Sequence, residues 1–220
     1  MDRNRLRMLF DLTGRVAIVT GGTRGIGRAI AEGFVAAGAK VVVASRKPEA
    51  CAETEAHLVA MGGEALGVPT HTGEIDALRP LVDRTLARFG RLDIVVNNAA
   101  NALRQDLGRF TPEAWEKSYA VNLRGPVFLV QAALLHFTRS MGAEFAARGI
   151  RVNALAPGTV DTDMVRNNPP EMQKLMAAAS PMKRAASPDE MVGPALFLVS
   201  DAASFVTGQV VIADGGLVSR

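Results

Sequence analysis

Between residues 16 and 27 the chain reads Val16-Ala17-Ile18-Val19-Thr20-Gly21-Gly22-Thr23-Arg24-Gly25-Ile26-Gly27. No other segment narrows the choice of fold as much. A continuous apolar run stops at glycines spaced Gly-x-x-x-Gly-x-Gly, and a pattern of helical period starts at once. Glycines let a chain turn tightly from strand into helix and let a phosphate approach the backbone. The positive end of the following helix and its free N–H groups then favour an anion. Three glycines also occur in ordinary tight turns. Here a strand pattern before and a helix pattern after supply the context of a dinucleotide-binding βαβ unit.

The alternation continues downstream. Residues 15–20, 40–45, 66–69 and 92–97 read as strands, and residues 25–37, 48–61 and 75–89 as helices. Gly38 is the expected cap of the first helix and Gly62-Gly63 closes the second. Strands alternating with helices argue for a parallel α/β sheet. Thr111 is the expected N-cap of a helix over 112–122, with Pro112 at its first position. A helix over 126–148, a strand over 150–154, a helix over 188–198 and a strand over 210–213 complete the pattern. Residues 1–12 read as an N-terminal extension. Residues 163–182, polar, proline-flanked and methionine-rich, read as a lid-like excursion.

Bulk properties set the class. A chain of 220 residues, 48% apolar and 21% charged, is a single globular domain with enough length for a core. The net charge is +3, without the lysine or arginine blocks that nucleic-acid binding needs. Cys51 is the only cysteine, which excludes an internal disulfide and fits a reducing cytoplasm. The charged N-terminus is no convincing signal peptide, and no run approaches the roughly 20 apolar residues of a membrane helix. His57, His71 and His136 are too scattered for a metal site. Asp161-Thr162-Asp163 follows a Pro-Gly pair and reads as a loop, and Gly-x-Ser-x-Gly is absent.

Together these motifs resemble the short-chain dehydrogenase/reductase family over nearly the whole chain. Thr20 to Gly27 is similar to its cofactor loop. Asn97-Asn98-Ala99-Ala100 is similar to its Asn-Asn-Ala-Gly signature, with alanine in the last place. Asn122 matches its helix-kink asparagine. Pro157-Gly158 with Thr162 matches the segment near the nicotinamide, and Thr207-Gly208-Gln209 and Asp214-Gly215-Gly216 match its C-terminal pattern. The resemblance implies a Rossmann-type, doubly wound parallel sheet and hydride transfer between a nicotinamide dinucleotide and an alcohol or ketone. It implies cofactor contacts at Gly21, Thr23, Arg24, Gly25, Ile26, Gly27, Ser45, Arg46, Thr72, Asn98, Ala99, Pro157, Gly158 and Thr162.

The resemblance also exposes a gap. Family members carry a catalytic serine on the fifth strand and a Tyr-x-x-x-Lys pair on the next helix. The tyrosine is the acid/base, the lysine lowers its pKa and binds the ribose, and the serine orients the substrate. Here the only tyrosine is Tyr119, and Leu123 stands four residues on. None of Lys40, Lys47, Lys117, Lys174 and Lys183 follows a tyrosine by four. Tyr119 is expected to pack, and Asn122 is the remnant of the catalytic machinery. The text on either side of Ala132-Ala133-Leu134 resembles the helix before strand five and the far part of the catalytic helix. Strand five and the first turn of that helix are read as missing between them. Val127, Val130, Leu134, Phe137, Met141 and Phe145 are spaced by three or four, so one apolar face runs through the join. The expected result is a fused helix, with the strand at 150 beside strand four in a six-stranded sheet. The alternative is a weakened or partner-dependent fold.

For the cofactor, family members that prefer NAD end strand two in an acid. Here that strand ends in Ser45-Arg46, which can bind a 2′-phosphate where an acid would repel it. Arg24 adds a second positive contact, so NADP(H) is expected over NAD(H). His71-Thr72 falls where the family often has an acid near the adenine. Two functions follow: an oxidoreductase scaffold with little or no turnover, or a cofactor-binding interaction module. Self-assembly and pairing with a full-length relative both stay open as partners.

Overall fold

The computed structural model describes residues 2–101, 111–126, 128–129, 143 and 145–217. In chain order its elements begin with α1 (Arg3–Met8), β1 (Val16–Thr20), α2 (Gly25–Ala36), β2 (Lys40–Ser45), α3 (Pro48–Ala60), β3 (Ala65–Pro69), α4 (Leu78–Phe89), β4 (Ile94–Val96) and α5 (Pro112–Tyr119). β5 (Ala154–Pro157) and β6 (Val210–Ala213) follow, with helices Asp163–Arg166, Pro170–Ala179 and Val192–Val199 between them. The chain divides into two compact units. One comprises Leu12–Thr23 and Phe34–His136; the other comprises Met1–Asp11, Arg24–Gly33 and Phe137–Arg220.

The first of these units holds a parallel sheet in the order β3-β2-β1-β4. Val16 stands opposite Lys40, Ala17 opposite Ile94 and Val41 opposite Ala65. β1 is buried along its whole length and β2 at its four central residues. Continuous apolar strands of this kind belong to a sheet covered on both faces. Ile18, Val42, Ala44 and Val68 pack with Leu78, Leu81 and Val82, which recur at helical spacing along α4, and with Leu129. The turn after α2 is the expected glycine cap. Gly38 has φ 91°, and the N–H groups of Gly38 and Ala39 donate to Val35 and Phe34 carbonyls at 2.9 Å. Thr111 caps α5 as expected, its Oγ1 accepting from the Ala114 N–H at 3.2 Å. α5 runs into a π-helical turn, Ala120–Arg124.

In the second unit β5 and β6 form a parallel pair, Ala154 opposite Val210 and Pro157 opposite Ala213. The strand expected at 150–154 therefore begins at Ala154. The preceding residues are held by side chains together with a backbone bond, the Gly208 N–H donating to the Val152 carbonyl at 2.7 Å. The Arg151 guanidinium donates to the carbonyls of Leu198 and Ser200 at 2.7 and 3.1 Å. The Val152 N–H donates to Thr207 Oγ1, and Asn153 bonds Val206 and Gln209. The single six-stranded sheet expected from the sequence is not confirmed: the strands among the described residues form one sheet of four and one of two. Of the apolar face expected along the fused helix, Phe145 is buried, whereas Val127, Val130, Leu134, Phe137 and Met141 lie outside the described residues.

The excursion at 163–182 is mostly helical. Helix Pro170–Ala179 starts on a proline and ends in a tight turn at Ser180–Lys183. Lys183, with φ 58°, is the one non-glycine residue in the left-handed region among the described residues. Its Nζ donates to the Ala178 carbonyl at 2.9 Å, which satisfies the helix end and matches its dipole. No described helix is long and apolar enough to cross a membrane.

A capping box opens the last helical segment. Ser187 caps Pro188–Met191, Glu190 accepts from the Ser187 N–H at 2.8 Å, and Arg184 grips both Glu190 oxygens at 2.7 Å. The guanidinium, followed by the Ser187 N–H, holds the Glu190 carboxyl down to about 2. A lowered carboxyl contributes stability above its unfolded value and loses it as pH falls through the folded one. Glu190→Gln is therefore expected to lower urea stability by a constant amount above about pH 5, with the difference shrinking toward pH 2. A difference independent of pH would show that the charge plays no part.

Candidate functional site

In the unit built on β1 to β4, the site is organised by one buried hydroxyl. Thr20 ends β1 and is 1% exposed. Its Oγ1 accepts from the N–H groups of Asn98 and Ala99, both at 3.1 Å, and donates to the Val96 carbonyl at 3.2 Å. Asn98 answers through its amide, donating from Nδ2 to the carbonyls of Thr20 at 2.9 Å and Gly21 at 3.3 Å. The chain after β4 is thus stitched to the loop after β1. Gly21 sits inside this clamp with φ 63°, where a Cβ would stand 2.9 Å from Asn98 Nδ2. A Cβ on Gly22 would lie 2.8 Å from the Val19 carbonyl oxygen. The glycines are set by close backbone approach as well as by the turn.

The neighbouring strand ends supply the other predicted residues of this unit. Ser45 closes β2 half-buried, its carbonyl accepting from the Thr70 N–H at 2.8 Å, and Arg46 is exposed. Thr72 is buried in the loop after β3, where His71 Nδ1 accepts from the Gly73 N–H at 3.1 Å. Cys51 contacts the Ser45 carbonyl through its sulfur, and burial pushes its thiol above the ordinary range. That shift disfavours the thiolate, which is the nucleophilic form.

Asn122 lies in the π-helical turn, which supplies the kink expected of it. Its Oδ1 accepts from the Asn101 N–H at 2.7 Å, and its Nδ2 donates to the Asn101 carbonyl at 2.8 Å and to Ser118 Oγ at 3.1 Å. Both ends of the amide are engaged in holding the segment after β4. Tyr119, expected to pack, is 41% exposed, because the burial of its helix centres on Ser118.

The second unit holds Arg24, Gly25, Ile26 and Gly27 at the start of α2, together with Pro157, Gly158 and Thr162. The first N–H groups of a helix have no intrahelical acceptor, so this end offers donors to an anion. Gly25 has φ 53°, and a Cβ there would stand 3.2 Å from Thr162 Cγ2. Gly158 follows β5, where a Cβ would meet Asp214 Cα at 2.7 Å. Its N–H donates to the Ala213 carbonyl at 3.0 Å, and Asp214 Oδ1 accepts from the Gly216 N–H at 2.8 Å. The Pro-Gly and Asp-Gly-Gly motifs, 57 positions apart between Pro157 and Asp214, are one structural feature.

Two supporting residues escaped the sequence reading. A Cβ on Gly125 would come 2.0 Å from the Thr72 carbonyl oxygen, and Arg124 donates to the Gly73 carbonyl at 3.3 Å while pairing with Glu116. Together they fix the loop after β3. The signal was present as a Gly-Pro pair, Gly125-Pro126, inside a helical pattern, which marks close backbone approach. Among the described residues no group of three or more His, Cys, Asp or Glu side chains could hold a metal ion.

Residues 15–136 match the short chain dehydrogenase family model, and residues 129–218 match the model described as enoyl-(acyl carrier protein) reductase. The 3-oxoacyl-[acyl-carrier-protein] reductase of Synechocystis sp. is 34% identical over 248 residues, covering 94% of this chain and 98% of that protein. The cis-4-hydroxycyclohexanecarboxylate dehydrogenase of Sinomonas cyclohexanicum is 34% identical over 239 residues, covering 92% and 96%. A gluconate 5-dehydrogenase from Burkholderia cenocepacia, crystallised with NADP and tartrate, superposes with a TM-score of 0.90 at 31% identity, covering 98% of this chain and 99% of that one. On its motifs, its Rossmann-like parallel sheet and these matches, the chain belongs to the short-chain dehydrogenase/reductase family of oxidoreductases.

Proposed function

We propose that this chain is an NADP(H)-binding member of its family with little or no turnover. The observation that carries the reading is the absence from the sequence of any Tyr-x-x-x-Lys pair, with Tyr119 its only tyrosine. The match to the Synechocystis reductase supports a missing segment, since it runs over 248 residues against the 220 of this chain. The two family models meet over residues 129–136, which contain the join read at Ala132-Ala133-Leu134.

The residues fit a phosphorylated dinucleotide. Gly21, Gly22 and Gly25 keep side chains out of the loop, and Thr23, Ile26 and Gly27 add backbone N–H groups. By the family resemblance Arg24, Ser45 and Arg46 are the residues expected to meet a 2′-phosphate, and β2 ends without a carboxylate. The family resemblance assigns cofactor contacts to Thr72, Asn98 and Ala99, and associates Pro157, Gly158 and Thr162 with the nicotinamide. When bound, the cofactor supplies or accepts a hydride. NADP in the Burkholderia structure and in a 3-oxoacyl reductase from Agrobacterium tumefaciens supports this choice. A cytoplasmic location belongs to the same reading, supported by the lone buried Cys51.

Charge-assisted bonds of this kind are worth about 1.5–3 kcal/mol. Arg46→Ala is therefore expected to weaken NADPH binding about tenfold or more and to leave NADH nearly unchanged, as followed by nicotinamide fluorescence. Equal losses for both cofactors would remove the case for the 2′-phosphate.

A second reading, an interaction module paired with a full-length relative, has support of its own. Trp115, Tyr119 and Leu123 follow one another at intervals of four and are 58%, 41% and 42% exposed. Such an apolar stripe suits a partner surface. Co-purification with an intact family member tests it, and a monomer that captures none counts against it.

A further inference from the structure

Arg24 and Asp163 face each other within one unit. Arg24 Nη1 lies 3.9 Å from Asp163 Oδ2, with the two side chains 73% and 56% exposed. The backbone accounts for the meeting. Gly25, next to Arg24, approaches Thr162, next to Asp163, so closely that a Cβ would stand 3.2 Å from Thr162 Cγ2. Thr162 in turn starts helix Asp163–Arg166, its carbonyl accepting from Val165 and Arg166 N–H groups at 2.8 and 2.9 Å. The nearby Arg166 is already committed, holding Asp161 through two bonds of 2.8 and 3.0 Å. Arg166 also feels the Asp163 charge, but its side-chain hydrogen bonds go to Asp161, and the ion pair of Asp163 is with Arg24.

We propose that Asp163 is a specificity-determining residue for the cofactor: its carboxylate competes with the 2′-phosphate for the Arg24 guanidinium. This rests on the reading above that Arg24 meets that phosphate. The two anions are unequal. The carboxylate sits beyond hydrogen-bond distance in an exposed setting, where an ion pair contributes little. A phosphate takes the guanidinium through short, paired, charge-assisted bonds. Arrival of the phosphate therefore turns Arg24 away from Asp163, and a carboxylate left close by repels the newcomer. NADPH bears this cost and NADH does not. The same exchange frees the first turn of the 163–182 segment, so the phosphate is felt where that segment begins.

The test is NADPH and NADH titration of the whole chain, read by nicotinamide fluorescence, for the natural protein, Asp163→Asn, Arg24→Gln and the double variant. Asp163→Asn is expected to tighten NADPH about two- to fivefold and leave NADH unchanged, with no effect in the Arg24→Gln background. Equal tightening for both cofactors, or tightening that survives without Arg24, overturns the proposal. Failure of the natural chain to bind either dinucleotide overturns the cofactor reading itself. The pair then remains testable by amide hydrogen exchange over residues 163–166 without cofactor. Faster exchange, by the same factor in both single variants, supports the pair, and unchanged exchange in both overturns it.

Discussion

The purified chain is expected to oxidise NADPH against a carbonyl substrate at least about 10²–10⁴-fold more slowly than an intact relative, because general acid/base catalysis alone contributes that much. Neither Ser118 nor Tyr119, which lie just before Asn122 in the sequence, is set up for such catalysis. Ser118 is buried and donates to the Asn101 carbonyl at 3.2 Å. Tyr119 is exposed on α5 without a lysine four residues on. Asn122 spends its side chain on Asn101 and Ser118. The measurement is NADPH absorbance under steady-state conditions, at saturating cofactor, beside the Synechocystis reductase as the reference. Rates within tenfold of that reference would mean that another group in this chain protonates the substrate oxygen.

The second large effect is expected at Thr20. Thr20→Val keeps the volume and removes the hydroxyl that accepts from two N–H groups and donates to a carbonyl. The part-buried Ala99 N–H then loses its partner, and the Asn98 N–H keeps only its bond to the Val96 carbonyl at 3.1 Å. An unsatisfied group costs about 1–3 kcal/mol, so a loss of that order is expected, with a fall in Tm of about 2–12 °C for a chain of this size. Cofactor binding weakens as well, since the clamp holds Gly21 against Asn98. Thr20→Ser, which keeps the oxygen, is the control and restores most of both. Differential scanning calorimetry of the two variants decides between them. A Thr20→Val protein as stable as the Ser variant would show that the hydroxyl organises nothing.

The sequence made the β1–β4 half legible because local signals and packing agree there. β2 falls at 40–45 as expected, since Val41, Val42 and Val43 lie between a glycine-capped helix end and a proline-started helix. The last strand, 210–213, is likewise set off by Gly208 and Gly215-Gly216. Legibility ends where side chains at long sequence separation decide the backbone. Arg151 and Asn153 bind carbonyls near residues 198–206, and no periodicity at 150–154 records those long-range contacts. The split of the six strands into two sheets is a pairing choice of the same long-range kind. Within the site, the glycines and Asn98 were readable as motifs. The clamp through Thr20 was hidden, because a threonine at a strand end looks like any other β-branched residue.

The most direct test of the account is titration of the 220-residue chain with NADPH and with NADH, followed by nicotinamide fluorescence and thermal shift on the same sample. The account predicts saturable binding with NADPH tighter than NADH and a melting transition raised by cofactor. Absence of binding to either cofactor, or a preference for NADH, would contradict it.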